Sequence, residues 1–406
     1  MTSRARGVTL IELLVALAIS AIVLTAIFGV VQGQQTAFYQ GNLQRAAQGS
    51  ARSALAFVEQ RLATAGYGMD APLAFDFVSP ALPCPALAAP CLRDAIDGND
   101  ELVFYARNPR YWTPDSYAAD PVANAWRIAT IVGNTATVSA RAGDTFVKGR
   151  ILQAVCKSGE RYAYFTVATK VKADVATTTF QIPLLGTVAT DPFRRQDQAA
   201  NACFQGGEAR LFLIDKFRFH VRPIATPRGT QPYLVLDQGL DANGDGPDEG
   251  EEVIVAEGIE SFQVGYVMTN AALVPRGTVP GVPIAFAAGM PGATAGDAMT
   301  TLQFPGLVDP NFSEYVPTSW FEYAVGPPPA IERTTDHQAN IRAVRVTIVA
   351  RGPDPDPGNP RTAILTPILN QSALPAWIDP RVPYGRARVD ATVQVRNLIS
   401  RAMLDH

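Results

Sequence analysis

The amino-acid sequence predicts an α+β fold: one long N-terminal helix, membrane-spanning and then amphipathic, laid on a twisted antiparallel β-sheet domain with large loops. Three observations carry this. About 24 residues from Val8 to Val31 hold a single charge, Glu12. Beyond them, apolar residues recur at steps of three or four as far as Ala65, the period of one helix face. The remainder alternates apolar and polar residues with a period of two, as half-buried strands do. It carries many of the 32 Pro and 32 Gly of the 406-residue chain, which suit strands and loops better than a helical bundle. A hydrophobic share of 47% against 17% charged excludes a disordered chain. A net charge of −3 offers no basic surplus for nucleic acid, and three His leave little for His-based chemistry.

The elements follow in order. Residues 1–7 are short, polar and basic through Arg4 and Arg6. The run 8–31 would make a helix about 36 Å long, enough to span a bilayer core of about 30 Å. The positive-inside tendency holds the short end in the cytoplasm and puts everything after Val31 outside the inner membrane. A secretory signal has a shorter apolar region, about 7–15 residues, followed by a small-residue cut site. Glu12 is the oddity. A carboxylate inside an apolar span costs roughly 2.5–3.5 kcal/mol on insertion scales, so it needs a partner or a function. The span holds no Lys, Arg or His, which places the expected partner outside the helix.

Gly7-Val8-Thr9-Leu10-Ile11-Glu12-Leu13 closely resembles the type IV prepilin motif, Gly-Phe-Thr-Leu-Ile-Glu-Leu, with Val8 in place of the usual Phe. The resemblance implies that a prepilin peptidase cuts between Gly7 and Val8 and N-methylates Val8. It also implies that Glu12 pairs with a neighbouring subunit's N-terminal amine during assembly. The expected organisation is a leader at 1–7, a helix at 8–66 (8–31 transmembrane, 32–66 amphipathic) and a β-rich domain at 67–406 facing the periplasm or exterior.

Leu43, Ala47, Ala51, Ala54, Val58, Leu62 and Ala65 form the apolar face of the amphipathic half, and Gly66 is the expected C-terminal cap. Gly29, Gly33, Gly41 and Gly49 interrupt it, each costing up to about 1 kcal/mol relative to Ala. Either bending or close helix packing would explain them. Among the strands, Phe217, Phe219 and Val221 alternate with Lys216, Arg218 and His220. Phe262, Val264 and Tyr266 share a face, as do Val344, Val346 and Ile348, and Val389, Ala391, Val393 and Val395. Shorter candidates are 101–107, 127–132, 162–167 and 233–236. Residues 271–310, rich in Ala, Gly and Pro, read as loop, and the Pro-rich 352–360 reads as unable to continue a strand.

Later segments resemble the PilW family of minor pilins. Gly98 to Tyr105 is similar to that family's early Asp-x-Leu strand, Glu257 to Tyr266 to its middle strand, and Ala391 to Leu398 to its closing strand. This implies a minor pilin of the type IV pilus, with other major and minor pilins, the prepilin peptidase, the pilus assembly platform, the inner membrane and a tip adhesin as partners. Nucleic acid is not an expected partner. A type II secretion pseudopilin is the alternative within the class. A membrane-anchored calcium-dependent adhesin is the alternative outside it.

Cys84, Cys91, Cys156 and Cys203 lie beyond the span, where an oxidising periplasm favours disulfides. Three connectivities are possible, and nearest-neighbour pairing (84 with 91, 156 with 203) is the first choice. Asp241, Asn243, Asp245 and Glu252 fit the calcium-loop pattern D-x-[DN]-x-[DN]-G-x5-E, with Gly246 at the turn. Strand-like flanks and Asp248 in an ordinarily apolar position also suit an acidic hairpin. No Gly-x-Ser-x-Gly, His-Glu-x-x-His or phosphate loop occurs, so no enzyme is expected. His220 reads as a surface residue, and Arg107, Arg110, Tyr111 and Trp112 as an ordinary solvated loop.

Overall fold

A computed structural model describes residues 9–69, 74–76, 78–79, 91–92, 99–108, 127–139, 145–155, 162–172, 179–185, 202–205, 209–227, 229–241, 252–269, 312–315, 341–355 and 383–398. The N-terminal 53 residues of regular structure are a single helix, α1 (Leu10–Leu62). Strands β1 (Val78–Ser79), β2 (Cys91–Leu92) and β3 (Leu102–Arg107) come after it. Next are β4 (Arg127–Val132), β5 (Thr135–Ser139), β6 (Thr145–Phe146), β7 (Ile151–Val155) and β8 (Tyr162–Thr166). After β9 (Val171–Lys172), β10 (Thr179–Pro183) and a four-residue helix α2 (Ala202–Gln205) comes the long strand β11 (Ala209–Thr226). The described elements close with β12 (Gly229–Asp237), β13 (Val253–Glu257), β14 (Ile259–Thr269), β15 (Phe312–Tyr315), β16 (Ile341–Pro355) and β17 (Tyr384–Gln394).

The strands make two main antiparallel sheets rather than one. The first runs β10-β5-β4-β11-β12-β13, with β3 and β7 also on β11 and β8 on β7. The second runs β15-β14-β16-β17. Strand β11 is long enough to serve two cores. Its first half pairs with β7, and Leu211 and Leu213 join Phe146, Leu152, Phe165 and Phe204 in a core away from α1. Its second half pairs with β3 and β12, and Phe217 and Phe219 point at the helix.

The main core lies between α1 and both sheets. Ala51, Ala54, Val58 and Leu62 meet Leu102, Phe104, Phe217, Phe219, Leu234 and Leu236 from the first sheet and Phe262, Val264, Val344, Val346 and Ile348 from the second. Aromatic rings pack beside the Ala-rich face of the helix. Phe104 stacks on Phe217 at 5.0 Å, Phe57 meets Phe219 edge-on at 6.2 Å, and Arg61 lies 5.3 Å over Phe57.

Two boundaries differ from expectation. The helix ends at Leu62, not at 66. Thr64 and Ala65 donate to Arg61 and Leu62 in a tightened last turn, and Gly66 donates to Tyr105 of β3. Gly66 has φ 73°, and a side chain there would strike Leu398. It therefore serves a turn against the sheet instead of capping the helix. The Pro-rich segment after Arg351 does continue β16, as far as Pro355, which pairs with Tyr384 past a register shift. A bulge tolerates the missing N–H that a regular ladder would not.

Two polar segments hold the assembly together. Asn99 and Asp100 lie alongside β14. The Phe262 N–H donates to Asn99 Oδ1 (2.9 Å) and the Val264 N–H to Asp100 Oδ2 (2.8 Å), while the Asp100 N–H donates to the Phe262 carbonyl. Side-chain oxygens thus stand in for a neighbouring strand and tie β3 to the second sheet. At the other end of the chain, Asn397 Nδ2 donates to the carbonyls of Ala63 (3.4 Å) and Ala65 (3.1 Å), which lie just past the last turn of α1.

Candidate functional site

The first turn of α1 is built by a capping box. Thr9 is the N-cap, its hydroxyl accepting from the Glu12 N–H (3.4 Å). The Glu12 carboxylate accepts in return from the Thr9 N–H (2.9 Å) and the Thr9 hydroxyl (3.0 Å). Glu12 thus finds a partner inside its own helix, where the sequence pointed to one outside. Both contacts use Oε2 and neither partner is charged, so among the described residues the negative charge is uncompensated. Gly7 and Val8 lie outside the described residues.

Exposure then divides α1 sharply. Leu10, Leu24 and Phe38 are 78%, 65% and 69% exposed, whereas Leu43, Ala47, Ala51, Ala54, Val58 and Leu62 are 0–5% exposed. The apolar face predicted for residues 43–65 is therefore the face that packs. Fourteen large apolar side chains between Leu10 and Val31 are 42–78% exposed. At about 1.5–3 kcal/mol each, covering them amounts to roughly 20–40 kcal/mol, well above the net stability of an ordinary domain. Lipid or other helices must take them up. A side chain placed at Gly29, Gly33, Gly41 or Gly49 would meet nothing within 4 Å among the described residues, so these glycines serve no close packing there.

The calcium-pattern residues divide. Asp241 is buried, ion-paired with Lys148 (2.8 Å), and its N–H donates to the Lys148 carbonyl. Glu252 sits 2.6 Å from Arg222 Nη1, outside hydrogen-bond angles, and 3.3 Å from His220 Nε2. Asn243 and Asp245 lie outside the described residues. The two ends of the acidic segment are thus held by the protein's own cations, and among the described residues no group of three metal-type ligands converges. His220 is not a surface residue. Burial, with Arg218 and Arg222 beside it on β11, pushes its pKa down to about 4 despite the carboxylates of Glu101 and Asp237. Its 3.3 Å contact with Glu252 therefore places a neutral imidazole beside a carboxylate that Arg222 also faces.

Cys84 and Cys156 lie outside the described residues. Cys91 stands on β2 and Cys203 in α2, where the backbone alone is described. Arg107 points inward, donating to Gln153 Oε1 (2.7 and 3.1 Å) and lying 4.0 Å over Phe212, so it is no part of a solvated loop. Arg110, Tyr111 and Trp112 lie outside the described residues.

Compared with known families, residues 2–28 match the prokaryotic N-terminal methylation motif. No curated protein and no solved structure matches the chain. The matched segment covers Gly7, Val8, Thr9–Glu12 and most of the exposed apolar run. It supports a type IV pilin-like protein processed by prepilin peptidase and associated with the pilus machinery, a structural protein rather than an enzyme. The exposed apolar helix is consistent with membrane anchoring.

Proposed function

We propose that this chain is a PilW-like minor pilin, cleaved after Gly7, N-methylated on Val8, and then incorporated into type IV pili or used to prime their assembly. The observation that carries the reading is the division of α1: one half locked into the domain by an Ala-rich face, the other a bare apolar rod headed by an uncompensated carboxylate. Such a rod is stable in only two settings, the bilayer and a bundle of like rods. A subunit that moves from one to the other needs the second half fixed and the first half unencumbered.

The work of Glu12 is electrostatic. Its Oε1 is left over by the capping box and would meet the N-terminal amine of an adjacent pilin, in an apolar bundle where a single ion pair is strengthened by low dielectric. Before assembly the globular domain faces the periplasm, and afterwards it lies on the pilus surface. The organisation proposed is the leader 1–7, the helix to Leu62 with its closing turn to 66, and the domain from 67 onward. Disulfides among Cys84, Cys91, Cys156 and Cys203 are part of the same proposal. The pseudopilin reading shares every one of these features, and the kind of filament in which the subunit is found separates the two.

Intact-mass measurement of the mature protein is the test. The expected N-terminus is N-methyl-Val8. Losing Arg4 and Arg6 takes the formal charge from −3 to −5. Recovery of a Met1 terminus from a peptidase-competent cell overturns the pilin reading.

A further inference from the structure

Where α1 first meets the domain, the second sheet buries more positive than negative charge. Arg351 of β16 and Arg386 of β17 are cross-strand partners, with side chains 7% and 6% exposed. One carboxylate, Glu260 at 3%, lies between them. Its Oε1 accepts from Arg351 Nη1 (3.4 Å) and Arg386 Nη2 (3.2 Å), and its Oε2 accepts from Arg386 Nε (2.5 Å). Arg351 Nη2 donates to Gln231 Oε1 (2.8 Å) and to the Thr230 carbonyl (3.1 Å), and the guanidinium lies 4.3 Å over the Tyr384 ring. The ring face and the Gln and backbone acceptors bring partial charge only, so among the described residues the cluster keeps one full positive charge. Two donors are also unspent: Arg351 Nε and Arg386 Nη1 are buried and without a hydrogen-bond partner.

A buried unpaired charge is among the most costly features a fold can keep, and two buried donors without acceptors add to it. Paired guanidinium groups with unspent N–H donors suit a planar or tetrahedral oxyanion, which accepts from both and cancels the surplus charge. We propose that Arg351 and Arg386 form a binding site for a phosphate-class oxyanion.

The position bears on its source. Gln44 donates to the Arg386 carbonyl at 3.2 Å, which puts the cluster beside residue 44 of α1. That is about 20 Å along the helix from Val31, whereas the headgroup layer is only about 5–8 Å thick. An upright helix holds the site beyond the lipid phosphates, which favours a free oxyanion over a headgroup. The charge and donor count is independent of the pilin reading, and only this distance argument rests on membrane anchoring.

The full chain in neutral detergent is melted in inorganic phosphate and in chloride of matched ionic strength, and phosphorus NMR tracks the phosphate line. The expected result is a melting temperature a few degrees higher in phosphate and a broadened line, both lost in Arg386→Gln. In chloride, Arg386→Gln should melt lower than wild type, because Glu260 loses its Nε and Nη2 donors, so the readout is the difference between phosphate and chloride within each protein. A shift seen only in phosphatidylglycerol vesicles, absent from phosphatidylcholine vesicles and from inorganic phosphate, assigns the same site to a lipid phosphate. Neither a shift nor broadening in any arm overturns the proposal, as does a phosphate shift that survives in Arg386→Gln.

Discussion

Glu12 bears two demands at once. On the proposed reading it enters the bilayer and later meets a cation, and the capping box suits both by satisfying Oε2 locally while leaving Oε1 for a partner. Glu12→Ala should insert at least as well as wild type, because the span loses a carboxylate costing roughly 2.5–3.5 kcal/mol. Incorporation should fall, read as fewer pili or less subunit in sheared filaments. Wild-type incorporation would remove the pairing role. His220 makes a second residue-scale prediction. Its folded pKa of about 4 lies below the ordinary 6.5, so the unfolded chain binds the proton first as pH falls. Its contribution is complete above about pH 6.5 and is lost progressively toward pH 4, by up to about 3 kcal/mol. His220→Gln should flatten the melting-temperature slope across that window relative to wild type, with the carboxylates common to both. Equal slopes would mean that burial does not hold the imidazole neutral.

At the scale of elements, the closing strand matters most for the short tail it delivers. Leu398 packs against Gly66 and Asn397 satisfies the carbonyls after the last turn of α1, so the few residues beyond β17 fasten the helix end. Leu398→Ala should cost about 2–5 kcal/mol in urea unfolding, and Asn397→Ala about 1–3 kcal/mol through carbonyls left unpaired. Unchanged midpoints in both would mean that the helix is held by its Ala face alone. The acidic segment between β12 and β13 is also tested as an element. Calcium at Asp241, Asn243, Asp245 and Glu252 is proposed to raise the melting temperature over chelator. Because Lys148 and Arg222 already hold Asp241 and Glu252, Lys148→Ala should enlarge that shift. No calcium dependence in either protein leaves only an acidic turn.

What was legible in the sequence depended on period. The helix face from Leu43 to Leu62 and the faces carrying Phe217 and Phe219, Phe262 and Val264, and Val344, Val346 and Ile348 are burial written at 3.6 and 2 residues, and these pack as read, with Val389 and Val393 half-buried against the core. Polar partnerships have no period. Asn99, Asp100 and Asn397 look like turn residues in a linear reading, yet they join segments more than 160 positions apart or cap a helix more than 330 positions away. His220 read as solvated because its neighbours Arg218 and Arg222 are charged, whereas Glu101, Asp237 and Glu252 arrive from three other segments to bury them. The division into two sheets was likewise invisible, because it depends on which strand β11 meets along each half.

For the molecule as a whole, the second half of its first element packs on its last two described strands. The buried face of α1, at the start, lies on β16 and β17, at the finish, and the residue that closes the helix is Leu398. The separation in sequence is close to the maximum that 406 residues allow. Contacts of such range form slowly, because a large loop must close before they repay its entropy. If α1 is anchored first, its Ala face must wait uncovered until almost every later residue has crossed the membrane. Folding then cannot keep pace with synthesis from the front, since the first element made is among the last to be satisfied. A stalled or C-terminally truncated chain would present an open apolar groove at the membrane surface, and quality-control proteases could recognise it there.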